Sequence, residues 1–336
     1  MRIDTQLTAP LGEVAEQARH LQELGYDGAF TFEGPRDVFF PLVEAAGGSE
    51  LFLYTNVAIA FPRSPYHLAQ HAWDLQRLSE GRFALGIGSQ VRAHVERRFG
   101  ADFGPPVPRM REWIRAIKAL FRCWQDGEPL DFQGEYTTHT LMPPTFHPGP
   151  LASGPPPVWV GAVGPRMTRM VAEEADGLLV HPFHTERFLH EVMLPTVDAA
   201  LDEGGRSRAG FTLGVDVIVC CGRTDEEMAE AEAGCRTMLA FYGSTPAYRP
   251  VLDVHGWGDL QAELNVLARA GRWADMPALV GDAQLEALTV RGDPEVVAER
   301  LVTRYGDVAD RAGFYLPYGA DPRHVAEIIT AVRSRG

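Results

Sequence analysis

Lysine is nearly missing: Lys118 is the single lysine among 31 basic residues. Schiff-base chemistry of the aldolase or pyridoxal-phosphate kind needs an active-site lysine. Lys118 falls inside an amphipathic helical pattern instead of at a strand end, which argues against such chemistry. Cysteine is scarce as well. Cys123, Cys220, Cys221 and Cys235 form neither a disulfide framework nor a C-x-x-C metal pair, so buried, reduced thiols are expected. No apolar run approaches the roughly 20 residues of a spanning helix, and the opening Met1-Arg2-Ile3-Asp4 leads straight into a strand-like segment. A cytoplasmic location with no membrane partner is expected. Basic surplus is also absent: 45 acidic against 31 basic residues give a net charge of -14. That balance repels nucleic-acid phosphates and anionic lipid, so no nucleic-acid partner is expected.

What is present is the composition of a globular protein, 336 residues with 45% hydrophobic and 23% charged, enough for a full core. Periodicity predicts strands over 2–7, 26–32, 51–60, 82–87, 158–160, 177–180, 211–220 and 313–316. Between them it predicts helices over 12–24, 39–46, 65–78, 108–124, 165–175, 186–202, 225–242 with a helical continuation to about 271, and 293–305; a last helix covers 322–333. Strands alternating with helices imply a parallel sheet, because parallel neighbours need a crossover. Eight such units predict an α/β fold, a (β/α)8 TIM barrel, in one domain over 1–336. A barrel takes about 250 residues, which leaves insertions near 88–107, 127–157 and 242–291. The competing doubly wound sheet lacks its G-x-G-x-x-G after the first strand.

A barrel places its chemistry in the loops after the strands. Glu33 is the lone carboxylate ending a core strand in the first half, either a buried acid near neutral pH or the partner of an arginine such as Arg63. Gly161-Ala162-Val163-Gly164-Pro165-Arg166-Met167 runs from a strand into a helix, with glycines allowing close backbone approach and proline in the first turn. Such a start suits a phosphate. Metal chemistry is not expected: His67 and His71 lack the glutamate of His-Glu-x-x-His, and His181 with His184 lacks a third ligand. Gly88-Ser89-Gln90 lacks the second glycine of a nucleophile elbow.

The run Phe61-Pro62-Arg63-Ser64-Pro65-Tyr66-His67, continued by Asp74 to Ser89, resembles the bacterial luciferase-like flavin and deazaflavin oxidoreductases. Val158 to Pro165 with Ala175-Asp176-Gly177-Leu178, and Arg291 to Leu301, agree with it in order. The segment Gly88 to Phe99 looks most like the branch that uses coenzyme F420. This resemblance implies a luciferase-like (β/α)8 barrel and a cofactor phosphate held by Gly161, Ala162, Val163, Gly164, Pro165, Arg166 and Met167. It implies a non-prolyl cis peptide at Asn56-Val57 behind the ring, near Ala58 and Gly88, with Glu33 as a polar neighbour. Arg63, Arg92 and Arg166 are available for anionic parts of the cofactor. Val91 stands where sugar-phosphate-oxidising relatives have a glutamate proton donor, His94 where they have an asparagine, and Gly34 where they have a histidine. A sugar phosphate is therefore not the expected substrate, and Glu33 and His94 remain as the acid–base pair. The implied activity is hydride transfer between coenzyme F420 and a small organic substrate. The alternatives are an FMN-dependent monooxygenase and a non-catalytic binding or partner subunit. The family further implies a homodimer, for which segments 37–47 and 65–78 are the candidate surface, and the Pro-rich 127–157 segment with Tyr242 and Trp257 is expected to shape an apolar substrate pocket.

Overall fold

The computed structural model describes residues 1–335. Eight parallel strands close on themselves: β1 (Arg2–Gln6), β2 (Gly28–Thr31), β3 (Phe52–Thr55), β4 (Phe83–Gly88), β5 (Val158–Ala162), β6 (Gly177–Val180), β7 (Thr212–Cys221) and β8 (Arg311–Tyr315). Each pairs with the next, and β8 returns to β1. The helices that cover them include α1 (Val14–Glu23), α2 (Phe40–Gly48), α3 (Pro65–Leu78), α4 (Pro106–Asp126) and α5 (Pro165–Glu174). Their buried stripes, such as Val14, Ala18 and Leu21 of α1, recur at the 3.6-residue period and pack on the outside of the sheet. Among the described residues no helix is long and apolar enough to cross a membrane.

Three differences from the sequence expectation stand out, the first two with local causes. The strand expected over 51–60 is broken into β3 and a two-residue piece, Ala58–Ile59, because the ladder stops at Asn56 and Val57, whose shared peptide bond is cis. The helix expected over 186–202 contains a π-type turn at Leu189–Met193. Pro195 lies just beyond it and has no N–H to return to the preceding turn. The region after β7 carries an additional short strand, Val290–Gly292, paired to the end of β7. Residues 127–157 hold a two-stranded antiparallel ribbon, Phe132–Gln133 with Thr138–His139.

Inside the barrel, residues alternate with the strand period of two. One layer is aromatic: Phe30, Tyr54 and Trp159 gather with Ala84 and Leu179, Tyr54 lying 5.2 Å from Phe30 and 5.4 Å from Trp159 between ring centroids. Another is charged. Asp216, Gly313, Asp4 and Gly28 stand in one register row across β7, β8, β1 and β2. The glycines make room for the acids: a Cβ on Gly313 would lie 2.3 Å from Asp216 Oδ1, and one on Gly28 would lie 2.6 Å from Asp4 Oδ1. Gly86 of β4 is tighter still, since its Cβ would meet the carbonyl oxygen of Thr55 at 1.9 Å. Backbone cannot yield as a side chain can, so Gly86→Ala is expected to cost about 3 kcal/mol, at the upper end of overpacking. Urea denaturation checks it, and an unchanged midpoint would contradict this packing.

Candidate active site

The mouth of the barrel, at the strand C-termini, has two unlike halves. Across β3, β4 and β5 it is bare. Gly88, the last residue of β4, and Gly161, the last but one of β5, bring no side chains, and Val57 fills the space between them: a Cβ on Gly88 would lie 2.5 Å from Val57 Cγ2, and one on Gly161 would lie 3.1 Å from Val57 Cγ1. Ala58 continues from Val57 into the ladder opposite Ile87 and is buried. The cis Asn56–Val57 bond is therefore where the resemblance implied, packed on Gly88 and Gly161.

From Gly161 and Ala162 the chain passes through Val163 to Gly164, which is the N-cap of α5, with Pro165 in the first turn. No side chain caps this helix and its first turn holds no acid. The Met167 and Thr168 N–H groups bond the Gly164 carbonyl, which leaves the Arg166 N–H and the positive end of the dipole for an anion. Arg166 is exposed and Met167 half-buried beside it. A Cβ on Gly164 would touch nothing within 4 Å, so the start of the helix is open to an occupant of phosphate size.

Glu33 is buried, with 9% of its surface exposed, and both its contacts are to Oε2. Arg63 Nη1 donates at 2.7 Å and the Ile59 N–H at 2.7 Å. Arg63 also donates to the Ile59 carbonyl at 3.1 Å, so the two residues together fasten the segment that follows β3. The arginine-bridged form of Glu33 is the one the structure holds. His94 lies on a short helix, Arg92–Arg97, with its side chain exposed. That helix approaches the Glu33 loop through Arg98, which donates to the Gly34 carbonyl.

Across β6, β7 and β8 the mouth is aromatic and polar. His181 follows β6, with the Tyr248 ring 4.4 Å and the Tyr242 ring 4.7 Å away. The Phe183 N–H donates to His181 Nδ1 at 3.1 Å, which leaves the proton on Nε2, 3.1 Å from the Tyr248 hydroxyl. Burial, and secondarily the neighbouring His184, push the His181 pKa down to about 3, so this ring is a neutral hydrogen-bonding wall. Tyr242 and Tyr248 come from the long insertion after β7, which thereby forms part of the mouth. Trp257 instead stacks on His255 at 4.4 Å.

Below the mouth lies a polar group that sequence reasoning did not find. Asn56 Nδ2 donates to both carboxyl oxygens of Asp216, at 2.9 and 2.8 Å. Next to it, Arg311 makes a two-pronged pair with Asp4 at 2.6 and 2.7 Å, and the Tyr54 hydroxyl donates to Asp4 at 3.1 Å. Burial pushes Asp216 up to about 8, against the pull of the Asn56 hydrogen bonds. The available signal was the lone acid in the apolar strand Val215-Asp216-Val217.

Fold and site together define the class, a TIM barrel whose functional groups gather at the strand C-termini around a glycine-lined wall and an open helix start. The chain belongs to the luciferase-like monooxygenase family, whose model matches residues 2–334. An uncharacterized protein of Mycobacterium tuberculosis (strain ATCC 25618 / H37Rv) is 43% identical over 312 residues, covering 93% of this chain and 92% of that one. The 5,10-methylenetetrahydromethanopterin reductase of Archaeoglobus fulgidus is 29% identical over 280 residues, covering 79% and 78%. The structure of the coenzyme F420 dependent tetrahydromethanopterin reductase of Methanopyrus kandleri superposes with a TM-score of 0.80 at 18% identity, covering 99% of this chain and 98% of that chain.

Proposed function

We propose that the protein is a cytoplasmic oxidoreductase that passes a hydride between coenzyme F420 and a small organic substrate. The observation that carries this reading is the joining of a bare, flat wall (Gly88, Val57, Gly161) to the uncapped start of α5 at Gly164. A planar ring with a phosphate-bearing tail fits that combination. Residues 161–167 hold the phosphate through backbone N–H groups, with Arg166 adding charge. Asn56, Val57 and Ala58 form the back of the ring site. His181, Tyr242, Tyr248 and Tyr315 face the substrate, and their uncharged surface suits an apolar or planar molecule. Arg63 orients Glu33, and Glu33 or His94 holds or removes the proton that accompanies the hydride. Bound there, the deazaflavin supplies the ring carbon that gives or accepts the hydride. The likeness to the Archaeoglobus reductase supports reduction over oxygenation.

A second reading is favoured by the family's own description, monooxygenase: FMN in the same site, with dioxygen as co-substrate. Equilibrium binding followed by ring fluorescence separates the two. Coenzyme F420 is expected to bind at least tenfold more tightly than FMN, a gap of about 1.4 kcal/mol, and with no oxygen uptake. Tighter FMN binding with oxygen consumption from reduced flavin would establish the monooxygenase. Binding of neither would leave a non-catalytic barrel.

A homodimer is part of the proposal. The α2 and α3 surfaces frame a groove of about 640 Å³ lined by Phe39, Phe40, Val43, Leu75 and Leu78, and Phe40 is 63% exposed. An apolar surface of this kind calls for a partner.

A further inference from the structure

Two buried acids stand beside a single buried cation in the barrel axis, and only one of them is paired with it. Asp4 takes both prongs of Arg311, while Asp216, only 4% exposed, receives no cation and is met by neutral groups, the Asn56 amide at hydrogen-bonding distance of both oxygens and the Tyr315 hydroxyl. Burying a carboxylate without a counter-charge is costly, and the ordinary escape is to keep the proton. The surroundings make this choice firm. From β1 comes Asp4, already paired; from β3, Tyr54, which donates to Asp4, and Asn56; from β8, Arg311, committed to Asp4, Gly313, whose lack of a Cβ admits the Asp216 carboxyl, and Tyr315; from the insertion, Tyr242. None of these brings a free positive charge to Asp216.

Asn56 is the residue through which this matters. Its side chain reaches down to Asp216 while its backbone leads directly into Val57, the side chain packed on Gly88 and Gly161. We infer that Asp216 is a positioning residue of the barrel mouth, fixing Asn56 and through it the wall at residues 56–57 by a carboxyl group that exchanges a proton with solvent when the mouth is open. The inference deepens the reading given above and rests on it for the identity of the ligand. A ring laid on the wall removes remaining water from Asn56 and Tyr315, which further disfavours the carboxylate. Binding therefore takes up a proton once the free protein has lost it, and affinity falls as the pH rises past the point at which Asp216 ionises. Burial places that point at about 8 in the free protein.

The sequence offers a clean probe, because Asn56 and Asn265 are its only asparagines. Asn265 donates to the Ser244 carbonyl at 2.9 Å, remote in sequence from the acids, and serves as the internal control. In apoprotein labelled with [13C,15N]asparagine, the Asn56 side-chain carbonyl signal is expected to move between pH 6.5 and 9.5 while the Asn265 signal stays. The movement should vanish in Asp216→Asn, which keeps an amide for Asn56 to bond but has no proton to lose. Coenzyme F420 and FMN are then titrated across the same range. The wild type should lose up to about tenfold in affinity per pH unit above the transition, the limit for one linked proton, and Asp216→Asn should hold one affinity throughout. Asp216→Leu, which removes the clamp, should bind weakly at every pH. An Asn56 signal that does not titrate overturns the inference whatever the ligands do. A signal that titrates beside a pH-independent affinity overturns the link between Asp216 and the wall. Failure of both ligands to bind at any pH overturns the oxidoreductase reading instead, and the titration of the apoprotein then decides the role of Asp216 by itself.

Discussion

Gly164→Asp is expected to make the protein slightly more stable and to weaken its binding of the proposed cofactor about 10- to 100-fold. Gly164 has φ -77 and ψ 146, an ordinary extended N-cap conformation, and a Cβ added there meets nothing within 4 Å. Aspartate is among the best N-cap residues, and its carboxylate would answer the open Arg166 N–H of α5 and the positive end of its dipole. The gain over glycine is about 0.5 kcal/mol, combining the cap with a less flexible unfolded chain. The same carboxylate occupies the place proposed for the phosphate and repels it. Charge-assisted hydrogen bonds are worth about 1.5–3 kcal/mol each, so losing even one weakens binding by about 10- to 100-fold. Thermal unfolding and fluorescence titration of coenzyme F420 and FMN read the two effects in one sample. A variant that is stabilised and still binds would remove the phosphate from this turn. Gly161 is a poorer place for the test, because its side chain would press on Val57 Cγ1 at 3.1 Å and mix packing with charge.

This helix start was legible in the sequence because its signal is local. Glycines, a proline and a strand-to-helix transition within seven residues define its geometry. The barrel was legible for a related reason: each βα unit announces itself by a change of period from two to 3.6, and helix α3 matches its expected bounds of 65 and 78 because Ser64 caps it and Pro65 starts it. The axial group of Asp4, Asn56, Asp216 and Arg311 carries no such signal. Its members lie on three strands and just past the end of a fourth, spread over more than 300 residues, and only closure of the barrel makes them neighbours. The aromatic wall was legible in part, since Tyr242 was expected at the substrate pocket and Tyr248 was not. Tyr242 and Tyr248 sit in a helical insertion whose sequence says helix and nothing of the strand end on which it folds. For Glu33 the residue was evident but its partner was open, and the arginine four residues past Ile59 settles the geometry by reaching back to both Glu33 and the Ile59 carbonyl.

These buried groups give the protein an expected stability maximum near pH 6.5, with losses of about 2 kcal/mol on either side. On the acid side, His184 is 3% exposed, its Nδ1–H is spent on the His181 carbonyl at 3.0 Å, and its Nε2 has no partner. Burial pushes it down to about 4, as it pushes His181 to about 3, from the ordinary 6.5. Below pH 6.5 the unfolded chain therefore takes up protons that the folded barrel refuses, and stability falls as the pH falls. On the basic side the sign reverses. Asp216, raised from 3.8 to about 8, keeps a proton in the fold that the unfolded chain has already lost, so stability falls as the pH rises from about 4 to 8. Each group contributes up to about 1.4 kcal/mol per pH unit within its window. Between pH 4 and 6.5 the buried histidines outweigh Asp216, and between 6.5 and 8 the histidines no longer oppose it. Urea midpoints at pH 5, 6.5 and 8 measure both limbs. In Asp216→Asn the loss toward pH 8 should disappear while the loss toward pH 5 steepens, since the opposing proton is gone. A variant whose profile parallels the wild type at both ends would mean that Asp216 is ionised in the fold, and that the barrel axis carries two charges of one sign against a single guanidinium.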